Sequence, residues 1–116
     1  MYYAVKANED NGGVQKIGAE LGVGYPLLLK SELGFENILK YDFINRGVSG
    51  NRIVDVYARI KKDIIGLKPD VMSLLIGVND VWHDIGETPN GVDDEKFYKI
   101  YLMLIKEIKE ALQKGK

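Results

Sequence analysis

The chain reads as a layered α/β domain built on a parallel sheet. Three observations point there. Short β-favouring runs alternate three times with stretches of helical periodicity, the order that right-handed crossovers turn into a parallel sheet flanked by helices. The run Asp70-Val71-Met72-Ser73-Leu74-Leu75-Ile76 is almost continuously apolar rather than alternating, as a strand covered on both faces requires. A chain of 116 residues with 46% hydrophobic side chains can build one modest core, since domains of this size bury roughly 65–70% of their unfolded surface.

Residues 2–5 open the chain as a short apolar strand, rich in the types that favour a pleated surface. Val14, Ile17 and Leu21 follow at helical spacing, and Gly22 and Gly24 break that helix. Pro26 suits the first turn of a second helix over 27–33, where its missing amide hydrogen would be unpaired anyway; Gly34 is its expected stop. Residues 41–45 form the second strand. Ile53, Val56, Tyr57, Ile60 and Ile64 mark the inward stripe of one helix over 52–67. Pro69 ends it and opens the third, most apolar strand. Residues 80–92 read as a loop containing Gly86, Pro89, Asn90 and Gly91. The last helix starts at Asp93 or Asp94, either of which can cap free amides, and buries Phe97, Ile100, Tyr101, Leu104, Ile108 and Leu112.

Charge and composition exclude several classes. Sixteen basic against 17 acidic side chains leave a net charge of −1, so no global field recruits nucleic acid or an anionic membrane. Cysteine is absent, which removes disulfides, thiolate nucleophiles and cysteine metal sites and fits a reducing compartment. No apolar run approaches the ~20 residues of a membrane helix, and the opening residues lack a signal-peptide pattern. The expectation is a cytoplasmic, single-domain chain over 1–116, with 1–23 and 24–116 as its two segments.

Two loops carry chemistry. Gly47-Val48-Ser49-Gly50-Asn51 and Gly77-Val78-Asn79-Asp80 each follow a short apolar run. Together with Gly24-Tyr25-Pro26-Leu27-Leu28-Leu29, Asn45-Arg46-Gly47 and the extension Val81-Trp82-His83, they resemble the oxyanion blocks of the SGNH (GDSL-type) esterases and acylhydrolases. The resemblance implies a flavodoxin-like strand order 2-1-3 and assigns oxyanion-type roles to the Gly50 amide and the Asn79 side chain. In that family a Gly-Asp-Ser block supplies the nucleophile and a late Asp-x-x-His block the base; neither has a counterpart here. Ser31, Ser49 and Ser73 are the only serines, and none sits on a nucleophile turn. Efficient catalysis is therefore not expected, with a residual esterase using Gly50 and Asn79 as the alternative.

The opening is different. Residues 2–22, YYAVKANEDNGGVQKIGAELG, resemble the first strand and helix of fold-type III pyridoxal-phosphate decarboxylases, in which the matching lysine, here Lys6, carries the cofactor. The two resemblances together imply a chimera, natural or engineered, joined near Leu21-Gly22. Pyridoxal phosphate or another anion bound through Lys6 is a further alternative, because a partly desolvated lysine at a strand end can form a Schiff base.

Open α/β sheets bind ligands at the carboxyl ends of their strands, which here carry Lys6, residues 47–51, Asn79, Asp80 and His83. Ser49, Gly50 and Asn51 also precede a helix, whose free amides favour a small phosphate, sulfate or carboxylate. His83 is the only histidine, and one imidazole without clustered partners is a poor metal site. Asp80 and Asp84 read as loop acids, so no metal is expected. A truncated sheet leaves strand three at an edge with unpaired backbone groups. The expectation is a homodimer formed through that edge.

Overall fold

β1 (Tyr2–Ala7), β2 (Tyr41–Asn45) and β3 (Val71–Leu74) form one sheet in the order β2-β1-β3. The computed structural model describes residues 2–7, 24–36 and 40–114, and these fall into two compact units. One comprises the described residues of 2–47 and 69–74, the other 48–68 and 75–114. The helix expected around Val14, Ile17 and Leu21, and the junction at Leu21-Gly22, lie outside the described residues.

The expected parallel sheet is not found. β1 pairs antiparallel with β2, in register Tyr3 to Asn45 through Ala7 to Tyr41, and antiparallel with β3, Tyr2 to Leu74 through Val5 to Val71. β2 and β3 thus share a direction and β1 runs against both. Apolar runs do not encode direction, because each residue offers the same donor and acceptor to either ladder, and the antiparallel pairing is the slightly more stable one. Nor is β3 sheathed on both faces. Its exposure alternates along the strand, with Val71 63% exposed and Met72 and Leu74 half-buried, so the near-continuous apolar run overstated its covering.

α1 (Tyr25–Glu36) belongs to the same unit. Pro26 lies in its first turn, buried, as the missing donor allows. Gly34 does not stop the helix. A Cβ at Gly34 would meet Lys30 Cγ at 3.8 Å and the Phe43 ring at 3.9 Å, ordinary contact distances, so the helix runs through a glycine that faces β2 without being required there. At the other end the Tyr25 hydroxyl and Ser73 Oγ are 3.2 Å apart, tying the helix start to β3.

The second unit is helical. The stripe over 53–64 is buried as its spacing requires, with Ile53, Val56, Ile60 and Ile64 between 0 and 7% exposed, but the backbone beneath it is not one α-helix. α2 (Ile53–Ala58) gives way to a π-helical turn (Ile60–Ile64) and a 3-10 turn (Ile65–Leu67). In the widened turn the Ile65 amide donates to the Ile60 carbonyl, the longer i to i+5 bond of a π-bulge. Gly66 is what permits the tightening that follows: a Cβ there would lie 2.8 Å from the Lys61 carbonyl oxygen. Lys68 then turns left-handed at φ 49°, and Pro69 cannot continue the helix.

α3 (Val78–Trp82) is a short helix inside the stretch expected as loop. α4 (Asp94–Lys114) begins where the capping acids placed it: Asp93 Oδ1 accepts from the Lys96 amide at 2.9 Å. Its inner face buries Leu104 and Ile108 against α2 and the turns after it, while Phe97, Ile100, Tyr101 and Leu112 are half-buried. The Phe97 and Tyr101 rings stack one turn apart, 6.0 Å between centroids. Among the described residues no helix is long and apolar enough to cross a membrane.

Candidate active site

The first motif loop from Val48 onward and the whole of the second belong to the helical unit, and side chains of the second grip backbone of the first. The first loop turns tightly, with the Asn51 amide donating to the Val48 carbonyl at 3.3 Å. Gly50 sits in this turn at φ +86° with open space where a Cβ would be, so the left-handed backbone, not crowding, requires glycine. In the second loop Gly77 takes φ +130° as α3 begins. That turn aims two consecutive side chains back at residues 51–53. Asn79 Nδ2 donates to the Asn51 carbonyl at 3.1 Å, and Asp80 Oδ1 accepts from the Ile53 amide at 2.9 Å.

Gly50 and Asn79, singled out in the sequence, are thus brought to one place. Each retains a donor. Among the described residues the Gly50 amide makes no hydrogen bond, and the Asn79 carboxamide, with two N–H groups, commits one of them to Asn51. Ser49 is exposed and makes no hydrogen bond with a described residue, so no base activates it.

Contrary to the expectation that the Asp-x-x-His block has no counterpart, Asp80 and His83 repeat its spacing, but among the described residues no hydrogen bond joins their side chains. The Asp80 carboxylate is 2% exposed and turned toward the start of α2, whereas His83 lies half-buried at the end of α3 with its backbone joined to Asn79 and Asn90. Asp84 accepts from the Gly91 amide at 2.7 Å, so the two loop acids hold different parts of the fold. Among the described residues no group of three or more potential metal ligands assembles.

One element of the site was not read from the sequence. Arg52 precedes α2 and grips Asp55 through Nε and Nη2 at 2.9 and 3.1 Å, its amide donates to the same carboxylate at 2.8 Å, and its Nη1 reaches the Asn90 carbonyl at 2.7 Å. The guanidinium bond holds the Asp55 carboxyl below the ordinary aspartate range, and Asp55 in turn raises Arg52. The signal available was the spacing of Arg52 and Asp55, N-cap to third helical residue, where an acid commonly receives the N-cap amide. Lys6 lies on β1 opposite Asp42; its side chain is outside the described residues.

The GDSL-like Lipase/Acylhydrolase family matches residues 11–115, and the chain belongs to that family. The match takes in residues 11–22, part of the stretch that resembles the decarboxylase opening. An acetylxylan esterase from Geobacillus stearothermophilus is 51% identical over 39 residues, 34% of this chain and 18% of that protein. The crystal structure of an acetyl xylan esterase is 36% identical with a TM-score of 0.69, over 76% of this chain and 44% of that one. The chain thus spans less than half the length of these relatives.

Proposed function

We propose that this chain carries the oxyanion-binding side of an acyl-ester hydrolase site, with acetyl esters of a carbohydrate as the substrate class and slow turnover by these 116 residues alone. One observation carries the reading. Asn79 is held by the Asn51 carbonyl at 3.1 Å in the same loop pair that leaves the Gly50 amide without an acceptor among the described residues. The family match and the acetyl xylan esterase relatives support the substrate class.

In this reading water adds its oxygen to the acyl carbon, and the carbonyl oxygen gains negative charge that Gly50 N–H and Asn79 Nδ2–H stabilise. Collapse breaks the bond to the alcohol oxygen, and the water proton leaves with the alcohol. Oxyanion donors lower the barrier but do not deliver the attack, so turnover without an activated serine is slow. No step passes through Lys6. Removing one oxyanion donor costs about 10²–10³ in kcat at a complete site. The test is 4-nitrophenyl acetate turnover by the full chain. The expected result is a slow rate above background that Asn79→Ala abolishes; background rates in both proteins remove the reading.

Two finer points belong to the same proposal. The sequence of residues 2–22 is of decarboxylase-like origin, joined to a hydrolase-like remainder, and the outer edge of β3 pairs with a second copy of the chain.

A further inference from the structure

Asp80 is the most buried charged side chain among the described residues, at 2% exposure, and nothing in the ester chemistry uses it. Its partners are specific. Oδ1 accepts from the Ile53 amide, the first of α2, and the Asp80 carbonyl accepts from the Val92 amide at 3.0 Å. Oδ2 is buried and has no hydrogen-bond partner among the described residues.

The reason for this arrangement lies at residue 52. The opening amides of a helix usually find an acceptor on the N-cap side chain, but the N-cap here is Arg52, whose guanidinium only donates. Asp80 supplies an acceptor for the first of these amides, at Ile53, from 27 residues away. Because Asn79 grips the Asn51 carbonyl two residues earlier, neighbouring side chains fasten both ends of the segment 51–53 to the second loop. Gly50 is covalently attached to that segment.

We propose that Asp80 is the positioning residue of the oxyanion pair: by capping α2 from the second loop it sets where the Gly50 amide lies relative to the Asn79 carboxamide. The inference rests on the reading of Gly50 and Asn79 as the donors. Gly91 belongs to the same device. A Cβ at Gly91 would collide with the Asp80 carbonyl oxygen and with the Asp84 carboxylate, so only glycine lets the loop close over Asp80.

The test is amide NMR of the full-length, nitrogen-labelled chain. In Asp80→Ala the Ile53 amide loses its hydrogen-bonded shift and its exchange protection, and the Gly50 amide and the Asn79 side-chain pair shift with it. Asp80→Asn keeps an acceptor at Oδ1 and retains all three signals, which separates the geometry from the charge. Gly91→Ala, pressing on the Asp80 carbonyl from the other side, moves the same three signals; it keeps the test decisive if Asp80→Ala does not fold. Gly50 and Asn79 signals unmoved in both Asp80→Ala and Gly91→Ala, or in Gly91→Ala alone if the alanine variant does not fold, overturn the inference. Ester turnover equal in the wild type and Asn79→Ala, with the signals still coupled to Asp80, would instead remove the donor reading and leave the cap standing.

Discussion

Arg52 illustrates how one side chain can weaken a local rule and restore it elsewhere. It cannot accept for the helix it precedes, yet its fork binds Asp55 and Asn90 and so ties the start of α2 to the segment before α4. Both Arg52 and Asp55 are partly solvated, so salt weakens the pair. The sign of its pH dependence follows from Asp55, whose folded-state acidity is raised chiefly by the Arg52 hydrogen bond. A depressed carboxyl contributes stability that is complete above the unfolded value of ~3.9 and is lost as pH falls through the lower folded value. Urea midpoints measured from pH 7 downward are expected to fall in that acid window, and Asp55→Asn to flatten this part of the profile. An unchanged profile in the variant would show that the pair contributes nothing.

The helices differ in how openly the chain declares them. α4 was legible in sequence, because a cap at Asp93 and an apolar stripe from Phe97 to Leu112 agree with each other. β2 was equally clear, with bounds at Tyr41 and Asn45. Over 53–67 the buried residues were legible but the backbone was not: a π turn inserts within a stripe that still looks helical, and only Gly66 hints at it. Strand direction left no trace in composition, and α3 is too short for periodicity to reveal. Of the site, Gly50 and Asn79 came from motif resemblance, whereas Asp80's partner came from folding, since a contact across 27 residues has no local spacing. Leu104, fully buried between these helices, tests how much their packing matters. Leu104→Ala is expected to cost about 2–5 kcal/mol, the range for an aliphatic core truncation, read as a lower urea midpoint. A loss below ~1 kcal/mol would mean that the site collapses freely around the gap.

Taken together, the chain joins a three-stranded sheet unit to a helical unit that holds Gly50, Asn79 and Asp80. β3 ends the strand order, with Val71 63% exposed, and such an edge offers unpaired donors and acceptors to another strand. Light scattering at micromolar concentration is expected to give twice the chain mass; monomer mass throughout would remove that pairing. Trp82 closes α3 at 65% exposure, three residues after Asn79, and is the sole tryptophan of the sequence. All indole fluorescence of this protein therefore originates beside the loop pair, giving the site an optical reporter that needs no label.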